Sequence, residues 1–179
     1  MVIDEVLHQI GMNVPSGQIL DVGFGSGNVL VRFQSLGFQQ LIGVELSESS
    51  VHFLSQRSKF ISPIRADARK LPLASDVFEA IVCSEVLEHL KRPEEALNEF
   101  FRVLKKNGVA VLTTPNSSLA WHLVEAVWTR LRREQLEIHH TTISRNRLAY
   151  LTRCSGFEVV KISPTNLDLL TFLIARKSA

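Results

Sequence analysis

Residues 19–27 read Ile-Leu-Asp-Val-Gly-Phe-Gly-Ser-Gly, and this stretch decides the fold of the chain. The mostly apolar residues from Gly17 to Val22 predict a buried strand, and the apolar pattern that follows the glycines predicts a helix. Gly23, Gly25 and Gly27 allow a sharp turn and leave room for a ligand against the backbone. Because the first turn of a helix also presents N–H groups without intrahelical partners, this unit predicts a site for a nucleotide-like ligand.

The spacing of the glycines narrows the class of ligand. Folds that bind dinucleotides carry Gly-x-Gly-x-x-Gly. In this chain Gly27 comes one residue too early for that pattern, and Asp21 stands two residues before Gly23. The spacing therefore argues against an NAD-dependent oxidoreductase.

The composition limits the number of domains and the class of protein that the chain can form. We expect the 179 residues to form one domain over 1–179, since 45% hydrophobic and 21% charged residues are typical of a folded soluble protein. The net charge of +2 gives little support to general nucleic-acid binding. The sequence contains no apolar run of membrane-spanning length and no signal-peptide pattern at its start. Cys83 and Cys154 have no metal-type spacing, so a reduced, cytoplasmic protein is expected.

Strand and helix patterns alternate along the chain, which favours an α/β fold with a mostly parallel sheet and helices on both faces. The predicted strands are Ile19–Val22, Gln40–Glu45, Ile61–Arg65, Phe78–Ser84, Val109–Thr113, Phe157–Ile162 and Leu169–Ala175. The predicted helices cover Val29–Leu36, the segment from Ser47 to Ser58, Pro93 to Lys105-Lys106-Asn107-Gly108, Ser118 to about Glu134, and Ser144–Ser155.

Several later segments carry a more specific resemblance. They are Val44-Glu45, Asp67-Ala68, Leu71-Pro72-Leu73, Asp76–Glu79, Ser84–Leu90 and Arg102–Gly108. Together with residues 19–27 they resemble the class I methyltransferases that use S-adenosylmethionine (SAM). Within that class the chain is similar to the type 11/12/23-like enzymes and the ubiquinone-pathway O-methyltransferases. The resemblance covers about residues 17–176.

This resemblance implies a Rossmann-like seven-stranded sheet whose last strand is antiparallel, with SAM as the cofactor across the carboxyl ends of strands one, two and four. Asp21 would lie near the methionine amino group, Gly23 and Gly25 against the ligand, Glu45 on the ribose hydroxyls and Asp67 on the adenine amino group. The same resemblance marks further cofactor-binding positions: Phe24, Gly27, Leu46, Ala68 and Ser84. Phe24 departs from the small residue usual at its position, which predicts an altered pocket shape.

A second motif, Glu85-x-x-Glu88-His89, follows the fourth strand. If a helix begins there, the three side chains share one face at the mouth of the SAM pocket. With the distant His139 they would form a candidate site for a divalent metal, and the pattern resembles methyltransferases that modify a terminal ribose 2′-hydroxyl on small RNAs. Two other interpretations stay open: His89 as a metal-free catalytic residue on the acceptor side, and a structural role.

The acceptor side is expected in residues 116–142, which carry Arg130, Arg132 and Arg133. These arginines indicate either an anionic acceptor or, as we favour, a solvated helix face. The leading hypothesis is a SAM-dependent methyltransferase acting on a small molecule, at oxygen. The alternatives are a metal-assisted ribose 2′-O-methyltransferase of RNA or nucleotides, which is not favoured, and a SAM-binding regulatory protein without turnover. The protein is expected to act as a monomer or homodimer. The sequence does not name the acceptor.

Overall fold

The computed structural model describes residues 2–10, 17–116, 142–165 and 169–178. The helix predicted over 118–134, the three arginines at 130, 132 and 133, and His139 all lie outside the described residues. Within the described residues, no helix is long and apolar enough to cross a membrane.

Helices and strands alternate as the sequence predicts. The helices are α1 (Val2–Ile10), α2 (Asn28–Ser35), α3 (Glu48–Arg57), α4 (Pro93–Val103) and α5 (Arg145–Cys154). The strands are β1 (Gln18–Val22), β2 (Gln40–Glu45), β3 (Ile61–Arg65), β4 (Phe78–Ser84), β5 (Leu104–Pro115), β6 (Glu158–Thr165) and β7 (Leu170–Arg176). Among these elements, α1 was not anticipated from the sequence.

All seven strands form one sheet in the order β3-β2-β1-β4-β5-β7-β6. The pairs from β3 through β5 are parallel, whereas β7 runs antiparallel to both of its neighbours. This confirms the predicted Rossmann-like sheet with an antiparallel last strand. Because β1 to β4 are parallel, their carboxyl ends lie at the same edge, where ligands bind in such sheets.

Local signals explain most element boundaries. The hydroxyl of Ser47 accepts a hydrogen bond from the Ser50 N–H and caps α3, and the hydroxyl of Ser144 caps α5 in the same way. Helix α2 ends just before Gly37, which has a φ of +94°.

Three boundaries differ from prediction because strand pairing overrides local sequence. Helix α4 ends at Val103 rather than at the basic Lys105–Gly108 segment, since Leu104 already pairs with Phe78 and Lys105 forms an ion pair with Glu79 on β4. Strand β5 likewise continues through Pro115, paired with β7. Strand β6 runs through Ser163-Pro164-Thr165, predicted as a connection, because these residues also pair with β7.

The condition for a shared face of Glu85, Glu88 and His89, a helix directly after β4, is not met. Only a single 3-10 turn, Leu87–His89, forms there. Glu85 adopts a left-handed φ of +57°, which ends the strand and is incompatible with a helix that includes this residue. Glu85, Glu88 and His89 therefore do not share the face of one α-helix.

The core has two parts, one on each face of the sheet. On the face covered by α1, α2 and α3, Phe24 is buried among residues that include Leu30 and Leu41. Its ring occupies space over Gly43 in the middle of β2: a Cβ at Gly43 would lie 2.6 Å from Phe24 Cδ1 and 2.8 Å from Leu30 Cδ1. Gly43 is therefore what makes room for the bulky residue in the glycine turn.

Replacing Gly43 by Ala is expected to lower the free energy of unfolding by about 1–3 kcal/mol, because the added methyl group overpacks a full core. Urea unfolding followed by circular dichroism measures this. Gly17→Ala is the matched control, since a Cβ there would meet its nearest atom at an ordinary 3.4 Å. Equal stability of the two variants would contradict the packing of Phe24 over Gly43.

Candidate functional site

A cleft of about 730 Å³ opens at the carboxyl ends of β1 to β4. Its lining comes from four consecutive strand ends in the sheet: Val22 and Gly23, Gly25, Val44 to Leu46, Ala66 to Arg69, and Glu85, Val86 and His89 to Lys91. The sheet order brings segments together that are up to 69 residues apart in the chain, from Val22 to Lys91. The cleft lies at the edge of the sheet that the glycine turn predicted.

In the glycine turn, Gly23 packs closely against a neighbouring turn, whereas Gly25 leaves room for a ligand. Gly23 has a φ of +73°, and a Cβ there would lie 2.1 Å from Val86 Cγ2, so only glycine lets the turns after β1 and β4 meet. Gly25 has a φ of +52°, and no atom lies within 4 Å of where its Cβ would stand. The backbone at Gly25 therefore faces open space in the cleft.

The Glu45 carboxylate joins the first two turns of the site. Its Oε2 accepts a hydrogen bond from the Gly25 N–H at 3.1 Å, and its Oε1 accepts from the N–H groups of Leu46 and Ser47 at 2.7 and 3.1 Å. These donors fix the carboxylate at the cleft wall. A carboxylate has about four acceptor positions and three are used here, so about one remains for a ribose hydroxyl.

Asp21 lies beneath the turn, with only 2% of its surface exposed. Its Oδ2 has no hydrogen-bond partner among the described residues. Burial, together with the nearby charge of Glu45, raises the pKa of Asp21 to about 7. A buried acceptor without a partner is costly, and a cationic ammonium group is the kind of ligand that would satisfy it.

Asp67 lies at the end of the cleft formed by β3 and is bound by Arg69 through its side chain and its backbone N–H. These hydrogen bonds lower the pKa of Asp67 below its ordinary value, so the carboxylate stays ionised. Ala68 between them is 8% exposed and lines the cleft. The predicted adenine-binding acid is therefore present, but it is not free of protein contacts.

The motif after β4 is split between the cleft and the interior. Glu85 and His89 line the cleft, and the Thr113 hydroxyl donates to Glu85 Oε1 at 3.4 Å. Glu88 is only 1% exposed, and burial, with a smaller contribution from the charge of Glu85, raises its pKa to about 8. Within the described parts of the chain, no three His, Cys, Asp or Glu side chains are grouped to hold a metal ion. His139, the fourth predicted ligand, lies outside those parts, so the metal site stays a prediction.

The remaining predicted cofactor residues lie around the cleft with different roles. Leu46 lines it and is 65% exposed. Phe24 is turned into the core, and a Cβ on Gly27 would lie 2.5 Å from Leu54 Cδ1, so this glycine serves the packing of α2 against α3. Ser84 ends β4 beside Thr113 and is not among the residues that line the cleft.

Sequence reasoning missed seven cleft residues: Val22, Val44, Ala66, Arg69, Val86, Leu90 and Lys91. Each lies within two residues of a predicted one, but charge and hydrophobicity alone do not reveal which way a loop side chain points. Val86 could have been found from the sequence. It is an apolar residue just after β4, and the neighbouring strand β1 ends in a glycine turn against which it can pack.

The cleft, its glycine turn and the acid at the end of β2 are the features of a nucleoside-binding α/β protein. A methyltransferase-domain family model matches residues 20–112, more than half of the chain. The chain belongs to this methyltransferase family, as the resemblance predicted, with SAM as the cofactor. The cleft fits this cofactor: the space at Gly25 leaves room for it, and the buried Asp21 oxygen suits its ammonium group.

A curated relative agrees with the assignment to the methyltransferase family. The chain is 32% identical over 98 residues to the ubiquinone/menaquinone biosynthesis C-methyltransferase UbiE of Roseobacter denitrificans, covering 51% of this chain and 39% of that protein. The chain spans about two fifths of the length of the curated relatives it matches.

Two solved structures share the fold at low sequence identity. The [4+2]-cyclase SpnF superposes with a TM-score of 0.82 at 18% identity, covering 99% of this chain and 80% of the cyclase. Magnesium protoporphyrin IX methyltransferase of Synechocystis PCC 6803, solved with S-adenosylhomocysteine (SAH), gives 0.77 at 16% identity, with 99% and 82% covered. These similarities show the fold.

Asp21→Asn is expected to remove a pH-dependent loss of stability. The folded-state pKa of about 7 lies above the ordinary 3.8, so the contribution of Asp21 is fully present below pH 3.8 and is lost as the pH rises towards 7. Urea unfolding at pH 5 and pH 8 measures the free energy of unfolding of the variant and of the wild type. The difference, variant minus wild type, should be about 1–3 kcal/mol larger at pH 8 than at pH 5. An equal difference at both pH values would contradict the raised pKa.

Glu45→Ala is expected to weaken SAM and SAH binding about a hundredfold, because a ribose hydroxyl loses its charged acceptor and the Gly25 turn loses its anchor. Isothermal titration calorimetry measures this. Glu48→Ala is the control: it removes a nearby carboxylate that is exposed and paired with Arg65 outside the cleft, and should change affinity less than about twofold. Unchanged affinity in Glu45→Ala would overturn the assignment of the ribose site.

Proposed function

We propose that this protein transfers a methyl group from SAM to a hydroxyl group of a small-molecule acceptor, with His89 as the catalytic residue. The observation that carries the proposal is the position of His89 in the cleft that holds Gly23, Gly25 and Glu45. An imidazole beside the cofactor can take the proton that a hydroxyl acceptor must lose.

The site residues have distinct tasks in this reaction. SAM supplies a methyl group that its sulfonium already activates. Gly23, Gly25, Glu45 and Asp21 would bind and orient the cofactor, which converts the transfer into a reaction between aligned groups. Glu85 and His89 lie at the end of β4, the side on which the acceptor would enter. His89 is held there by its backbone N–H, which donates to the Val86 carbonyl at 3.0 Å.

Carbon is the competing position for methylation. The relative UbiE is named as a C-methyltransferase, and a base also assists carbon methylation when the acceptor is a phenol. Mass spectrometry and nuclear magnetic resonance of the methylated product distinguish an O-methyl from a C-methyl group.

We further propose a reducing, cytoplasmic location. Cys83 and Cys154 are both free, and Cys154 is exposed. An exposed thiol persists in a reducing compartment.

The oligomeric state is proposed to be a monomer or a homodimer. Light scattering on the purified chain measures it.

His89→Gln is expected to lower kcat about a hundredfold or more while leaving the affinity for SAH within about twofold, since the variant loses the base but keeps the cofactor contacts. A methyl-release assay against a panel of phenols, catechols and hydroquinones measures kcat. His52→Gln serves as the control because His52 is exposed on α3 and bonds to Gln56 outside the cleft. A full rate in His89→Gln would rule out His89 as the base.

The same assay with chelator and with added Mg²⁺ or Mn²⁺ tests the metal hypothesis. Activity that is unchanged by thorough metal removal would rule out an ion at Glu85, Glu88, His89 and His139. SAM binding without methyl release from any acceptor, RNA fragments included, would favour the regulatory alternative.

A further inference from the structure

Asp67 and Arg69 form an unusually complete ion pair at one end of the cleft. Arg69 Nε donates to Asp67 Oδ1 at 3.0 Å and to Oδ2 at 3.2 Å, and Nη2 donates to Oδ2 at 2.6 Å. The Arg69 backbone N–H donates to Oδ1 at 2.9 Å, and the Lys70 N–H donates to the Asp67 carbonyl at 2.9 Å. The guanidinium of Arg69 thus binds the carboxylate at two points, and the backbone turn over residues 67–70 adds a third donor, so the carboxylate is held in one orientation.

These contacts use most of the acceptor capacity of Asp67. A carboxylate offers about four lone-pair sites. Oδ1 accepts two of the Arg69 donors, while Oδ2 accepts one short hydrogen bond and shares Nε at the longer distance. About one acceptor position is therefore left on Oδ2, and its direction is fixed by Arg69.

We infer that Arg69 is a positioning residue that aims the remaining acceptor of Asp67 at the amino group of the adenine. The inference rests on the proposed function and on the adenine position at Asp67 that the resemblance implies. Both residues line the cleft, together with Ala66 and Ala68 from the same strand end. Arg69 thereby contributes to selecting a base with a donor at position 6, although it acts through Asp67.

An arginine is required for this role because its planar guanidinium binds a carboxylate at two points. A lysine at the same position keeps the charge as a single point, and it leaves the backbone N–H of residue 69 as the contact that orients the carboxylate. A purely electrostatic effect would not weaken binding. SAM carries a net positive charge, so removing the cation of Arg69 would by itself strengthen SAM binding, and SAH has no net charge, so its affinity would change little.

A double-mutant cycle on SAH binding, measured by calorimetry, tests the inference. Arg69→Met should weaken SAH binding about five- to tenfold, and Arg69→Lys should also bind more weakly than the wild type. In an Asp67→Asn background, Arg69→Met should change the affinity less than about twofold, because residues that act as a unit have non-additive effects.

Arg92→Met is the matched control for this cycle. Arg92 pairs with Glu95 at 2.7 Å close to Arg69, but it does not line the cleft. Its loss removes the same charge and should leave SAH affinity within about twofold. Additive effects in the cycle, an Arg92→Met effect as large as that of Arg69→Met, or tighter SAH binding by Arg69→Met would each overturn the inference.

Base selectivity gives a readout that a merely structural role would not change. The wild type should prefer SAH over S-inosylhomocysteine, which lacks a donor at position 6, by about tenfold or more, and Arg69→Met should reduce this preference to about threefold or less. An unchanged preference would overturn the role of Arg69. A wild-type preference near one would overturn the adenine role of Asp67 and the inference with it. Absence of any SAH binding would instead contradict the cofactor site.

Discussion

The hydrogen bonds of the Glu45 carboxylate hold together the two turns that form the cleft wall. One oxygen takes the N–H of Gly25 in the turn after β1, and the other takes the first N–H groups after β2. Two turns that are 20 residues apart in the chain are thereby fixed at one sheet edge. Without this anion the N–H groups would depend on water, and the left-handed backbone at Gly25 would lack its anchor.

Buried carboxyl groups beneath the cleft carry an electrostatic cost. The charge of Glu45 adds to the burial of Asp21 in raising the pKa of Asp21 to about 7, and Glu85 adds to the burial of Glu88 in raising its pKa to about 8. Burial raises the pKa of the Cys83 thiol, and the charges of Glu88 and Asp21 raise it further. Asp21, Cys83 and Glu88 therefore lie close together under the cleft. A cationic ligand above them would relieve repulsion that lowers the stability of the empty protein, which is how binding sites commonly trade stability for function.

Sequence patterns predicted the strands β1 to β4 well, because each is a short apolar run bounded by glycine, serine or proline signals. They failed where pairing with a distant strand decided the outcome, as in the extension of β5 through Pro115 and of β6 through Thr165. They left open whether a helix begins after β4, where the left-handed backbone of Glu85 prevents one. Residue type does not report such a conformation in a non-glycine residue.

By itself the sequence determined the alternation of elements, the glycine turn and the acids at residues 21, 45 and 67, since these depend on local backbone freedom and side-chain chemistry. Only the tertiary structure decided which of these groups meet. It turned Phe24 over Gly43 into the core, buried Glu88 while leaving His89 in the cleft, and joined Asp67 to Arg69. The reason is physical: side-chain direction, burial and the shift of a pKa depend on neighbours that parallel strand order brings from far along the chain.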